Sequence, residues 1–200
     1  MNQTFTERYP WIKDATGLLI FGVMVLVGTI LINTYVFRSF NVEGPSMEPT
    51  LQTGDRLVVN RLPVTWAQLQ NVDYIPERGQ VIVFKNPRYT VGNPDEFIVK
   101  RVIGLPGEKV ALKDGHFTVY NSDRPKGFNP DDTNNGEPAS PTSGVEKEVV
   151  VPDDALYVSG DHRNDNYSFD SRNGLGYVPL YDIIGPVNAR LLPITGLRGF

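Results

Sequence analysis

Two stretches of this 200-residue chain carry residue types that could do chemistry together. In Gly44-Pro45-Ser46-Met47-Glu48-Pro49-Thr50-Leu51, prolines stand on both sides of one serine. Each proline fixes its own φ, lacks an N–H and biases the residue before it away from helix, so Ser46 sits on a stiff, extended or turning backbone. Its hydroxyl can be aimed without an ordering cost. A lone serine is a weak nucleophile, and a proline-rich turn is the plain alternative. Lys100 supplies the other half. It lies inside the apolar run Phe97-Ile98-Val99-Lys100. Strand alternation puts Ile98 and Lys100 on one face and Val99 and Arg101 on the other, so one of the two basic residues should point inward. A lysine guarding an edge strand is the alternative. Burial disfavours the ammonium. Lowering a lysine from about 10.4 to a useful base near neutrality takes ~2–3 pKa units, or about 3–4 kcal/mol of environment.

A third stretch, Gly160-Asp161-His162-Arg163-Asn164-Asp165-Asn166-Tyr167-Ser168-Phe169-Asp170-Ser171-Arg172, interleaves carboxylates, guanidiniums and small hydrogen-bonding side chains. It reads either as a solvated loop or as a polar cluster able to satisfy a buried lysine. Asp170 and Arg172 alternate like partners on a strand edge. Other chemistries are excluded by composition. Without cysteine there is no disulfide, thiolate zinc site or cysteine nucleophile. His116 and His162 are too few for a histidine metal site. Asp131-Asp132-Thr133-Asn134-Asn135-Gly136 opens like a calcium loop, but Thr142 stands where the bidentate glutamate belongs. We therefore expect no metal and no cofactor. A net charge of −4 argues against nucleic acid as a partner.

The elements that must position these residues begin with a membrane span. Residues 1–14 are a short polar tail, and residues 15–37 contain no Asp, Glu, Lys or Arg. As a helix they reach roughly 35 Å, enough for a hydrocarbon core of about 30 Å. Trp11 and Tyr35 suit its two interfaces. A cleavable leader would have a shorter apolar core and a small-residue cleavage site, which Asn33-Thr34-Tyr35-Val36-Phe37 lacks. Arg8 and Lys13 before the span favour a cytoplasmic N-terminus. Residues 38–200 then lie together on the other side. Their short apolar runs between turn residues predict a mostly β domain. Strands are expected at 57–59, 80–84, 97–104, 148–151 and 155–158, with a last pair at 183–185 and 187–191. A hairpin should turn at Lys113-Asp114-Gly115. One or two helical turns fit 63–69, and 121–147 reads as a polar insert or mobile surface loop.

Together these stretches resemble the type I signal peptidases, membrane-bound serine proteases with a Ser-Lys dyad. The matching segments are Val42–Leu51 with Gly54-Asp55, then Arg78–Lys85, Val99–Glu108 and the Gly160–Arg172 loop, in the family's order. The resemblance implies an antiparallel β-sheet catalytic domain of the signal-peptidase type after one N-terminal transmembrane helix. It implies that Ser46 is the nucleophile and Lys100 the general base. Ser168 would orient the lysine, with structural ion pairs Asp161–Arg101 and Asp170–Arg172. It implies a groove lined by Phe40, Val42, Met47, Leu51, Leu57, Ile98 and Val99. The substrates would be signal peptides of exported preproteins with small residues at P1 and P3, cut beside the lipid bilayer on the extracytoplasmic face of the cell membrane. The secretion translocon is a further partner that the resemblance allows. Exposed Met47 and Leu51 would suit contact with lipid.

Two departures stand out. His162 replaces the family's asparagine, with extra residues before Ser168. Gly44 stands where some members have a serine that assists the oxyanion hole, leaving mainly the Ser46 N–H. Two other functions share parts of the pattern. A repressor-type self-cleaving Ser-Lys protease has the dyad but not the span. A membrane-anchored, non-enzymatic β domain binding extracellular partners has the span but needs no dyad.

Overall fold

In the computed structural model, residues 10–92, 96–133, 141–164, 167–193 and 198–199 are described. Helix α1, Pro10–Leu31, is apolar all round beyond Asp14, and none of the Asp14–Val36 segment is buried against the rest of the chain. A helix with no polar face and no protein around it has the composition of a membrane span. A π-helical turn, Ile32–Val36, ends it, and β1 (Phe37–Asn41) follows without a linker.

The larger sheet is built from β1, β2 (Arg56–Asn60), β3 (Val81–Lys85), β4 (Phe97–Gly104), β8 (Ala155–Ser159), β9 (Val178–Pro179) and β10 (Ile183–Leu192). Its order is β1-β2-β10-β3-β4-β8-β9, with β11 (Arg198–Gly199) beside β10. Every described pairing is antiparallel. Between β2 and β3 runs helix α2, Leu62–Leu69, where helical turns are expected. The sheet is covered on both faces. Ile82 and Phe84 enter one apolar cluster, while Val81 and Val83 enter another with Val42, Met47, Leu51 and Leu57. That two-sided burial explains why β3 reads as an unbroken apolar run. It also corrects the alternation argument for β4: Lys100 and Arg101 are both buried, because both faces of the sheet are covered where β4 runs.

The last two predicted strands are one. The Gly185-Pro186 pair looks like a break, but β10 runs through it, pairing with β3 from Ile183 to Pro186 and with β2 from Val187 onward. The register shifts at this crossing, as at a bulge. Gly185 is required there, since a β-carbon would overlap the Asn60 carbonyl. The sheet curls: β1 and β4 are four places apart in its order, yet the Phe40 and Phe97 rings lie 5.3 Å apart.

A smaller sheet, β6-β5-β7, contains β5 (Lys109–Lys113), β6 (His116–Tyr120) and β7 (Lys147–Val150). Asp114 and Gly115 turn the hairpin with φ of 50° and 76°, the two positive values that a type I′ turn needs. The described parts of 121–147 are tied down rather than loose. Phe128 bridges to Val119, Pro130–Thr133 form a 3₁₀ turn, and the Asp131 carboxylate accepts from Arg163 at 2.6 and 2.7 Å. A polar sequence without periodicity hides such an attachment, because its partner lies thirty-odd residues away.

Candidate active site

Ser46 is held by its backbone. Val42 N–H donates to the Asp55 carbonyl and Gly54 N–H returns a bond to Val42, closing the 42–55 segment into a loop. Glu48 N–H bonds the Pro45 carbonyl and Leu51 N–H bonds Met47, so the residues after Ser46 turn tightly. From the far side of the sheet order, His162 N–H donates to the Ser46 carbonyl at 3.1 Å. Gly160 packs against the same carbonyl. A β-carbon there would overlap both the Ser46 oxygen and the Ser168 hydroxyl, so only glycine lets the two serine segments meet.

Lys100 comes from β4 and is 3% exposed. Its Nζ lies 2.8 Å from Ser46 Oγ and 2.8 Å from the Val99 carbonyl. The carbonyl can only accept, so one N–H is committed to Val99. A neutral amine would still have its lone pair for the serine proton.

Two buried ion pairs frame this contact. Arg101 Nε donates to Asp161 Oδ1 at 2.7 Å, and Thr50 Oγ1 donates to Asp161 Oδ2 at 2.6 Å. Asp161 thereby joins the residue after Lys100 to the turn that carries Ser46. Arg172 Nη2 donates to Asp170 Oδ2 at 2.6 Å, and Gly160 N–H reaches the same oxygen at 3.0 Å. Burial acts to raise the Asp170 carboxyl. The hydrogen bonds and charge of Arg172, with the Gly160 N–H, outweigh it and hold the group below the usual carboxylate range. Asp170 and Arg172 lie in a turn rather than alternating on a strand edge.

Ser168 is fully buried, yet its hydroxyl makes no hydrogen bond of good geometry among the described residues, with Lys100 or otherwise. Its nearness to Asp170 shows only as a small further lowering of that carboxyl. His162 Nδ1 lies 3.2 Å from the Pro45 carbonyl, and the ring stacks on Tyr167 at 4.9 Å. A carbonyl has no proton to give, so Nδ1 is the donor in that contact. Asp165 and Asn166, in the lengthened part of this loop, fall outside the described residues.

A groove of about 500 Å³ opens beside Ser46 and Lys100. Phe40, Val42, Leu57, Ile98 and Val99 line it, where the sequence places them. Met47 and Leu51 do not. Both are fully buried beneath it, which also removes them as a lipid-facing surface. The tight turn after Ser46 folds these side chains into the core.

Residues that sequence reasoning passed over complete the site. Phe97, Tyr167 and Phe169 add aromatic wall, and Glu43 and Glu96 add carboxylates. Thr50 and Arg163 are structural members. Arg163 is 1% exposed and bonds the Gly160 carbonyl through Nε at 2.8 Å. Both stand inside the motif stretches, which was the available signal.

The chain matches known proteins along most of its length. The family described as "Signal peptidase, peptidase S26" matches residues 13–192. Signal peptidase I P of Bacillus subtilis subsp. natto is 30% identical over 93% of this chain and 95% of its own. Signal peptidase I of Leptolyngbya laminosa is 34% identical over 90% of this chain and 81% of its own. A crystal structure of a signal peptidase I from Enterococcus faecalis V583 aligns with 56% of this chain and 95% of its own, at 25% identity and a TM-score of 0.41.

Proposed function

The chain belongs to the signal peptidase family, peptidase S26, and from that membership we propose that Ser46 is the nucleophile and Lys100 the general base with which it cuts signal peptides from exported preproteins. It is a serine endopeptidase of the signal peptidase I type. The observation that carries the dyad is the 2.8 Å separation of Lys100 Nζ and Ser46 Oγ, with the lysine buried and already bonded to Val99. Neutral Lys100 takes the Ser46 proton as Oγ attacks the scissile carbonyl, then returns it to the leaving amine. A water, activated by the same amine, releases the acyl-enzyme. The oxyanion rests mainly on the Ser46 N–H. The buried Ser168 hydroxyl, unspent among the described residues, is the group we assign to steadying the lysine. Asp161–Arg101 and Asp170–Arg172 act through position only.

The substrate enters as an extended strand. Among the described residues β1 pairs only with β2, and residues 97–100 of β4 pair only with β3. Two backbone edges are therefore open beside the groove, and a peptide between them would place alternate side chains in its pockets. Helix α1 anchors the enzyme as a single span, with the N-terminus cytoplasmic and residues 38–200 extracytoplasmic. The lipid bilayer and preproteins leaving the secretion translocon are then its neighbours. The test is cleavage of a purified preprotein by the full chain in detergent. Cleavage should occur after an Ala-x-Ala site and vanish in Ser46→Ala; an active Ser46→Ala protein defeats the assignment.

A further inference from the structure

The polar segment 121–147 reaches the active site through one side chain. Arg163 is 1% exposed, and its guanidinium is shared between two partners. Nε donates to the Gly160 carbonyl at 2.8 Å, while Nη1 and Nη2 donate to the two oxygens of Asp131 at 2.7 and 2.6 Å. A guanidinium is planar and rigid, so its two ends cannot move independently. It also lies over the Phe117 ring, 5.2 Å from the ring centre, which leaves it little room to swing. Ser143, at the other end of the segment, adds a second attachment. Its N–H and its hydroxyl donate to the Arg163 carbonyl at 2.9 and 3.0 Å. Arg172 Nη1 donates to the Arg163 and Ser143 carbonyls, both at 3.0 Å.

What Arg163 holds is the most crowded point of the site. Gly160 packs so closely on the Ser46 carbonyl and the Ser168 hydroxyl that a β-carbon would overlap both. Its N–H is fixed by Asp170 at 3.0 Å, and the next residue, Asp161, is fixed by Arg101 and Thr50. Its carbonyl accepts from Arg163 and from the Ser159 hydroxyl at 3.0 Å. Ser159 belongs to the same stretch of chain, whereas Asp131 anchors Arg163 to a different part of the fold. A buried guanidinium that loses its carboxylate is left uncompensated and turns toward water, taking its charge-assisted bond away from Gly160. A tilt of that peptide is passed directly to Ser46 and Ser168, and a misplacement of about 1 Å can cost ~10²-fold in rate. Among the described residues Asp131 lines no part of the groove, so its influence falls on the reacting groups and not on the bound peptide.

We propose that Asp131 is a positioning residue for peptide hydrolysis: through the Arg163 fork it locks the Gly160 peptide against Ser46 and Ser168, so that the polar insert braces the nucleophile from behind. It rests on Ser46 and Lys100 being the reacting pair.

The test is steady-state hydrolysis of a short soluble Ala-x-Ala peptide by the full chain in detergent, with Ser46→Ala run alongside. Asp131→Asn should lower kcat by about 10-fold or more and leave KM unchanged, because the link is to the catalytic groups and not to the substrate. Asp131→Glu, which keeps the charge for Arg163, should restore most of that loss. A second variant separates positioning from stability. Asp131→Leu with Arg163→Met replaces the buried ion pair by apolar side chains, an exchange that is often neutral for folding. It should keep the urea midpoint of the unaltered chain and still show the fall in kcat. Undiminished kcat in the folded double variant overturns the inference, whether or not Asp131→Asn folds. So does a fall in Asp131→Asn that Asp131→Glu does not reverse, or a rise in KM at constant kcat. Activity in Ser46→Ala would instead defeat the reacting pair, and this inference with it.

Discussion

At the scale of single residues, the base for Ser46 decides the chemistry. Lys100 and His162 are the two candidates, and their contacts differ. Lys100 Nζ lies against Ser46 Oγ, whereas His162 spends Nδ1 on the Pro45 carbonyl and its ring on Tyr167. Lys100→Ala should lose at least about 10²–10⁴-fold in kcat, the range for a general base, with its circular dichroism unchanged. Lys100→Arg should do no better, because a guanidinium does not give up its proton. His162→Asn should remain active. The pH profile offers a second check. A histidine base would bring activity up near pH 6–7. Burial disfavours the ammonium, so a lysine base should bring activity up at a pH above that of a histidine base and below that of a free lysine. An active Lys100→Ala with an inactive His162→Asn would reverse the assignment.

At the scale of elements, the site is a junction of β1, β4 and the Gly160–Arg172 loop, and the Asp170–Arg172 pair secures that loop. The folded state holds the Asp170 carboxyl below its unfolded value of about 3.9. A depressed carboxylate adds stability that is fully present above the unfolded pKa and is lost as pH falls through the folded one. Asp170 therefore stabilises the protein at neutral pH and ceases to do so progressively below about pH 4. Asp170→Asn should flatten that acid limb of a chemical-denaturation series. It should also cost about 3–5 kcal/mol at pH 7, since Arg172 is left buried without its partner. An unaltered acid limb would show that the pair contributes nothing to stability. The groove between β1 and β4 carries a further expectation. Its walls include Phe40, Phe97 and Phe169, aromatic bulk that a large inserted side chain would meet. A preprotein with Phe at P1 should be cut at least about 10-fold more slowly than one with Ala, from bulk overlapping a filled pocket. Equal rates would contradict the small-residue pocket.

At the scale of the whole molecule, the N-terminal apolar helix and the β domain are mechanically continuous. The π-helical turn passes straight into β1, and Thr65 of α2 and Arg61 just before it donate to the carbonyls of Tyr35 and Val36. A truncation that respects this joint removes residues 1–31 and keeps Ile32 onward. That protein should hydrolyse a soluble peptide as the full chain does, yet process a membrane-inserted preprotein far more slowly, because it has lost the effective concentration that tethering supplies. Equal processing of the inserted preprotein would make the anchor dispensable.

Covalent order and local periodicity were enough to point to a long apolar helix, short strands and a hairpin at Asp114-Gly115, while the pairing of Ser46 with Lys100 was an expectation carried by the family resemblance alone. These are properties of neighbours in sequence, where proline geometry, side-chain alternation and composition act directly. What they could not decide was set by contacts across the fold. Both basic residues of β4 are buried because a second layer covers each face of the sheet, and alternation cannot count layers. Met47 and Leu51 turn inward because the 42–55 loop closes on itself. Residues 183–192 form one strand because two different neighbours accept its two ends. Thr50 and Arg163 gain their roles from Asp161 and Asp131, partners 111 and 32 residues away. Such distances carry no local signal, and burial free energy, which depends on what the rest of the chain places alongside, settles the outcome.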